Sequence, residues 1–361
     1  MEQIRYLKQQ EKQNTRAMYE AVFPEDSKEF VDYYYQWKTK DNEILVMEDN
    51  AGYEVMIHLN PYTVCMNGRR AEVPYIVAVA TRQDCRRQGK MQQVMKHVLQ
   101  DLQKSHCPFA FLLPADSAYY RGQGFVFAPK SIAGAEAGEL KKGLEVVPAA
   151  EREKVIVGET DADAGSWSYV SLRSGDDTRM QQAAETANTI LTEQYDMYLQ
   201  RDKGYYERLI EETAAERGEV LLIREKERCI GILTYGKEEQ ADIKELLLFS
   251  QYKEKRKEIC NRIFGRDNWK EEEMQMMYRI TDLQALDGML KGEQEILIAE
   301  ITDSMVKENN GIWRIEWNPA GGDVTRIGNL SEENGKIQHM DIAEVTAKIM
   351  EKMSIFIREW V

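Results

Sequence analysis

Between residues 43 and 113 the apolar positions fall in short blocks, and the spacing within each block predicts its element. Glu43–Met47 and Tyr53–Leu59 flank the Asp49-Asn50-Ala51-Gly52 turn and read as strands. Tyr62–Met66 is a third strand, closed by Asn67-Gly68, a pair suited to a two-residue hairpin turn. Val73–Thr81 is a fourth, and its nearly unbroken apolar run predicts burial on both faces. The period then changes. From Gly89 to Lys104, Met91, Val94, Met95, Val98, Leu99 and Leu102 recur at helical spacing and predict one buried helix face. Ala110–Leu113 is a strand stopped by Pro114, and Ser27–Trp37 reads as an aromatic-rich helix. A strand–helix–strand order with the central pair parallel implies an α/β (α+β) architecture with a right-handed crossover.

Beyond this block the pattern divides the chain into three parts, 1-150, 151-272 and 273-361. Gly134 to Gly165 is rich in Ala, Gly, Glu and Lys and marks the exit from the first. The second holds a helical stretch, Thr178–Leu199, and a helix, Tyr205–Arg217. A hairpin of Val220–Ile223 and Ile230–Tyr235 follows, then a strand, Ile243–Phe249. Lys253–Glu273 is heavily charged and reads as an exposed helix with a linker. The third part predicts a helix at Leu283–Leu290, strands at Ile296–Ile301 and Ile312–Trp317, and a helix at Asp341–Met353 with Asp341 as its N-cap.

Charge and composition narrow the function by exclusion. Of 361 residues 48 are Lys or Arg and 62 are Asp or Glu, a net charge of −14. This balance argues against nucleic acid as the main partner and favours cationic ligands. No run approaches the roughly 20 apolar residues of a membrane span, and Met1–Met18 lacks the apolar core of a signal peptide. A cytoplasmic protein with no membrane partner is therefore expected. The five cysteines include no CxxC pair and the four histidines show no metal-binding spacing, so no metal site is expected. The signatures GxSxG, GxxxxGK[ST] and GxGxxG are absent.

The informative stretch runs Val79-Ala80-Thr81-Arg82-Gln83-Asp84-Cys85-Arg86-Arg87-Gln88-Gly89-Lys90-Met91. A buried strand meets an amphipathic helix through a basic turn, where backbone N–H groups and the helix dipole suit an anion. Gly89 permits close approach, and Arg86, Arg87 and Lys90 add charge fitting a diphosphate. The same residues also suit a solvated basic helix start with Gly89 at a bend. About thirty residues on comes Tyr119-Tyr120-Arg121-Gly122-Gln123-Gly124-Phe125.

Together these two turns resemble the GNAT acetyltransferase superfamily. Arg86-x-x-Gly89-x-Met91 matches its (Arg/Gln)-x-x-Gly-x-(Gly/Ala) motif, and Tyr120-x-x-x-Gly124-Phe125 its later tyrosine motif. The resemblance implies acetyl-CoA as cosubstrate. Arg86, Arg87, Gln88, Gly89, Lys90, Met91 and Gln92 would hold its diphosphate, and the backbone of Val79, Ala80 and Thr81 its pantetheine arm. The three-part order further resembles the Eis family, with two GNAT-like domains, the second degenerate, followed by a sterol-carrier-protein-like α+β domain. Arg201-Asp202-Lys203-Gly204-Tyr205-Tyr206-Glu207-Arg208 and Met277-Tyr278-Arg279-Ile280 carry that likeness. Gln251–Gly265 lacks a second Arg-x-x-Gly-x-Gly turn, so no cofactor is expected there.

By this resemblance the chain transfers an acetyl group to a primary amine, aminoglycoside-like or lysine-like, by direct attack. Tyr120 is the general acid, the C-terminal carboxylate on Val361 is the base, and the assembly is a homohexamer. Met91, Gly122, Gln123 and Val361 depart from the common family residues. Tyr33, Tyr34, Tyr35 and Trp37 read as core, with an amine pocket as the other reading. The alternative function is a non-catalytic binding protein carrying an apolar ligand in its C-terminal domain.

Overall fold

A computed structural model describes residues 3–128, 167–237, 241–266, 268–271, 274–328 and 337–359. The chain forms two compact units. The first combines residues 1–132, 195–200 and 274–361, and the second residues 133–194 and 201–273. The second unit ends at Glu273, and residues 1–132 and 274–361, which the sequence pattern sets in separate parts, share one body.

The first unit opens with β1 (Gln3–Tyr6), α1 (Arg16–Val22), α2 (Lys28–Trp37), β2 (Glu43–Asp49), β3 (Gly52–Met66) and β4 (Arg69–Thr81). It continues with α3 (Lys90–Lys104), β5 (Phe109–Leu112), α4 (Ala118–Arg121) and β6 (Val126–Phe127). Asn67 and Gly68 both take left-handed φ, 52° and 83°, as the tight β3–β4 turn requires. The two strands expected at Tyr53–Leu59 and Tyr62–Met66 are one, β3. Pro61, opposite Pro74, falls between the end of the β2 pairing at Leu59 and the start of the β8 pairing at Val64, so no second strand pairs with β3 there and asks for its N–H.

The second unit holds β7 (Trp167–Ser171) and α5 (Asp177–Gln194). Next in sequence, β8 (Met197–Leu199) belongs to the first unit. It pairs with β3 through Val64–Met66, so the helix expected to reach Leu199 stops at Gln194. The second unit resumes with α6 (Lys203–Ala215), β9 (Glu219–Glu225), β10 (Arg228–Lys237), β11 (Ala241–Leu248), α7 (Arg256–Phe264) and β12 (Trp269–Glu271). Its sheet order is β12-β11-β10-β9-β7, with only β11 and β12 parallel.

The remaining elements return to the first unit: β13 (Met277–Ile280), β14 (Glu295–Thr302), β15 (Gly311–Trp317), β16 (Val324–Ile327), β17 (Gln338–Asp341), α8 (Ile342–Met350) and β18 (Ile355–Phe356). The helix expected over Leu283–Leu290 is only a 3-10 turn at Gln284–Leu286, ended before Gly288 at φ 75°. Asp341 caps α8 as expected, accepting from the Glu344 N–H while Glu344 accepts from the Asp341 N–H. Strands β16-β15-β14-β17 form a small mixed sheet.

The main sheet runs β1-β2-β3-β4-β5-β13-β6, with β8 on the end of β3 and β18 on β8. The C-terminal strand β13 lies between β5 and β6 and completes the sheet, which is why the first and third parts cluster together. Against one face pack Val94, Met95, Val98 and Leu99 of α3, with Leu45, Ile57, Ile76 and Leu112. This is the stripe the helical spacing predicts. Leu99 is fully buried, so Leu99→Ala is expected to cost about 2–5 kcal/mol in urea unfolding, with an unchanged denaturant slope.

Candidate functional site

The site begins where β4 changes direction. β3 and β4 slip register between Met56, opposite Ala80, and His58, opposite Val77, and Ala78 takes φ 50°. On its other side β4 pairs with the parallel β5 only at Tyr75 and Phe111, whose rings stack at 5.2 Å. Past that pair the two strands part. Val79, Ala80 and Thr81 therefore lie on a stretch of β4 with β3 on one side and no ladder to β5 on the other.

A 3-10 turn at Gln83–Cys85 leads from β4 to α3. Arg87 and Gly89 both adopt left-handed backbone, φ 63° and 75°, and Gly89 is the N-cap of α3. Left-handed residues of this kind turn successive N–H groups toward one side, in line with those of the first helical turn, which have no acceptor within the helix. A Cβ added to Gly89 would meet nothing within 4 Å, so the glycine is required by its backbone conformation and fronts open space. Arg86, Arg87, Gln88 and Gln92 are exposed. Two side chains brace the turn itself: Arg86 Nε donates to the Thr81 carbonyl at 3.1 Å, and Gln88 Nε2 to the Asp84 carbonyl at 2.9 Å.

Lys90 sits differently from the expected diphosphate ligand. Its Nζ lies 2.5 Å from Glu54 Oε1, and the Glu54 side chain is 4% exposed. A carboxylate buried on β3 needs a counter-charge close by, and Lys90 supplies it. The ammonium thus anchors the turn to the sheet, leaving Arg86 and Arg87 as its outward cations.

Tyr120 lies on α4, after β5. Its ring is buried and meets Phe125 edge-on at 6.0 Å between centroids. Its hydroxyl has no hydrogen bond among the described residues and is not one of the fully buried polar atoms. Burial, with a smaller contribution from Tyr119, pushes the phenol pKa up to about 12, so it holds its proton at neutral pH. Two departures noted in the sequence meet here: Gln123 Nε2 donates to the Tyr119 carbonyl at 2.8 Å and to Met91 Sδ at 3.5 Å. Gln123 thus bridges the Tyr120 turn and the first turn of α3.

Val361 lies outside the described residues. The segment before it docks on the main sheet: Ile355, Phe356 and Ile357 are buried, and β18 runs parallel to β8. Sequence reasoning missed Glu359, which is buried and accepts from the Tyr62 hydroxyl at 2.8 Å. The Tyr62 oxygen in turn accepts from Lys38 Nζ at 3.0 Å. The Tyr62 ring centroid is 6.4 Å from that of Tyr75 and 6.3 Å from that of Phe111, the pair where β4 and β5 begin to part. Only the charge of Glu359 within an apolar tail could have signalled it.

Tyr33, Tyr34 and Tyr35 are buried, and the Tyr34 hydroxyl lies 2.9 Å from His58 Nδ1. Burial pulls the His58 pKa down to about 3, so this ring is neutral. These tyrosines are core, and Lys40 covers the half-buried Trp37 ring at 3.5 Å.

The second unit repeats the register slip. Thr234 faces Glu245 while Tyr235 faces Ile243, and the parallel β11–β12 pairing ends at Ile243. There the edge beyond the slip is taken up internally. The Leu246 carbonyl accepts from Arg256 Nη1 at 2.9 Å and the Leu248 carbonyl from Gln194 Nε2 at 2.8 Å.

Residues 3–128 match the family model of the acetyltransferase (GNAT) domain. This part of the chain is a GNAT acetyltransferase domain. Through it the protein is an acetyltransferase. Its fold extends to solved structures over nearly the whole length. A probable N-acyltransferase from Enterococcus faecalis matches with TM-score 0.69 at 15% identity, covering 98% of this chain and 93% of that one. A GCN5-related N-acetyltransferase from Anabaena variabilis gives 0.69 at 14%, covering 98% and 94%. Eis1 from Mycobacterium abscessus gives 0.61 at 11%, covering 97% and 89%. At these identities the likeness is one of fold. No curated protein matches the sequence.

The ion pair separates the two kinds of basic residue in the turn. Lys90→Met removes the nearest counter-charge of the buried Glu54 carboxylate, leaving Arg82 Nη2 at 4.0 Å, and is expected to cost about 2–4 kcal/mol of stability. Arg87→Met, at an exposed position, should change it by less than about 0.5 kcal/mol. Urea unfolding of both variants checks the contrast.

Proposed function

We propose that the protein is an acetyl-CoA-dependent N-acetyltransferase of the Eis type that acts on a primary amine. The observation that carries the reading is the open stretch of β4 leading into the left-handed Arg87–Gly89 turn, with the free Tyr120 hydroxyl on the neighbouring turn. Open space at Gly89, the first-turn N–H groups of α3, which have no acceptor within the helix, and the exposed Arg86 and Arg87 suit a diphosphate. Gln88, Lys90, Met91 and Gln92 shape that cradle, and Val79, Ala80 and Thr81 offer backbone groups to an extended amide-bearing arm. When bound, acetyl-CoA supplies an activated acyl group with a thiolate as leaving group.

Tyr120 donates to the departing sulfur. A phenol at about 12 faces a thiol near 8.5, so full transfer runs uphill by roughly 5 kcal/mol. Its main contribution is therefore a hydrogen bond that strengthens as negative charge grows on sulfur. The base is the α-carboxylate of Val361, which orients the amine and takes its proton directly or through water. Burial of Ile355–Ile357 and Glu359 supports a tail held against the sheet as far as Glu359. The −14 charge suits a cationic acceptor, aminoglycoside-like or lysine-like. The likeness in fold to Eis1 supports a degenerate GNAT-like second domain over 151–272; a sterol-carrier-like part within 273–361, beyond the strand β13 that joins the first sheet, and a cytoplasmic homohexamer complete the proposed reading. Light scattering on the purified protein tests that assembly.

Thiol release from acetyl-CoA across a panel of aminoglycosides and lysine peptides tests the activity. Tyr120→Phe should lower kcat by about 10²–10⁴-fold. A short tag fused after Val361 should lower it comparably. Full activity in both variants would remove the assigned acid and base. Since Tyr120 keeps its proton up to about pH 12, it contributes no falling limb to kcat between pH 7 and 10. A limb in that range that vanished in Tyr120→Phe would contradict the assignment.

A further inference from the structure

The turn that carries Tyr120 is held by a residue far along the chain. Arg279, on β13, is fully buried. Its Nε donates to the Gln123 carbonyl at 2.7 Å and its Nη1 to the Ile280 carbonyl at 2.8 Å. Its Nη2 reaches both carboxylate oxygens of Asp303, at 2.7 and 2.9 Å. Asp303 is itself fixed. Its Oδ1 accepts from the N–H groups of Met305 and Val306, at 2.9 and 3.0 Å, and its Oδ2 from Asn309 Nδ2 at 3.0 Å.

The neighbouring residue confirms how closely this group presses on the turn. Gly124 has φ 86°, and a Cβ there would lie 2.8 Å from Ile342 Cγ2 and 3.1 Å from Arg279 Nε. Gln123 is therefore gripped twice. Arg279 holds its carbonyl, while its own side chain reaches Met91 in the first turn of α3.

A fully desolvated ion pair is a poor way to gain stability, because apolar residues of the same size often do as well. What a guanidinium adds is direction: several donors in a rigid plane, each aimed at a different acceptor. We infer that Arg279 is a positioning residue for acetyl transfer, fixing the Gln123 carbonyl and through it the place of the Tyr120 hydroxyl relative to the Arg86–Lys90 turn. This rests on Tyr120 acting as the acid.

Arg279→Lys keeps the charge but puts a single nitrogen in place of the two fixed ones, Nε and Nη2, that serve the Gln123 carbonyl and Asp303 separately. The readout is thiol release from acetyl-CoA with neomycin as amine, or the slow acceptor-independent hydrolysis where neomycin is not taken. A fall in kcat of about 10–100-fold is expected, with KM for acetyl-CoA within about twofold of wild type. In a Tyr120→Phe background the same substitution should cause no further fall. Asp303→Asn, which keeps the side-chain shape, should follow this pattern with a smaller loss, and it carries the test if the lysine variant does not fold. An unchanged kcat, or an equal loss in both backgrounds, overturns the positioning role and leaves Tyr120 as the acid. Undiminished kcat in Tyr120→Phe alone overturns the acid assignment and this inference with it.

Discussion

Two parallel strands that pair at one point and then part leave a sheet with an internal edge. In this protein β4 and β5 meet at Tyr75 and Phe111 and separate beyond them. The cause is local: one extra residue in β4 at Ala78 shifts its register against β3 and turns the strand. An edge inside a sheet is costly unless something fills or uses it. The first unit leaves it leading into the Arg87–Gly89 turn, and the helix start after it adds N–H groups that have no acceptor within the helix. The second unit carries the same slip but occupies its edge with Arg256 and Gln194. One geometric device thus serves two ends, according to which side chains stand nearby.

The other edge of β5 explains why the end of the chain is needed. Opposite β4, β5 presents a second edge, and β13 fills it, pairing over Met277–Ile280. That strand brings Arg279 behind the Tyr120 turn. The final segment reaches the same sheet from another direction, through β18, β8 and the far end of β3. It buries Glu359 beside Tyr62, close to the point of separation. The acetyltransferase domain of residues 3–128 is therefore completed by residues some 150 and 230 positions further on.

Charge within the site follows the same logic of burial. Lys90 is drawn to Glu54 because a carboxylate on the inner face of β3 has no water to solvate it. Arg86 and Arg87, on the outer side of the turn, have no such claim on them and stay exposed. Three cations within five residues thus differ in role because a turn has two sides, and spacing alone does not assign them.

What the sequence determined is what depends on neighbours a few positions apart. The Asn67-Gly68 turn, the buried face of α3, the Asp341 cap and the two GNAT-like turns were legible because each rests on local dihedral preference, helical period or capping. Tyr33, Tyr34 and Tyr35 were legible as core from their aromatic character, although three consecutive residues span more than one helix face. The sequence overextended the helix toward Leu199 and placed a helix at Leu283–Leu290. It also kept Met277–Ile280 in a separate part. In each case tertiary structure decided: Met197–Leu199 and Met277–Ile280 are strands because β3 and β5 had unfilled edges. An edge is a property of the assembled sheet, and nothing in three or four consecutive residues records which distant strand will need them.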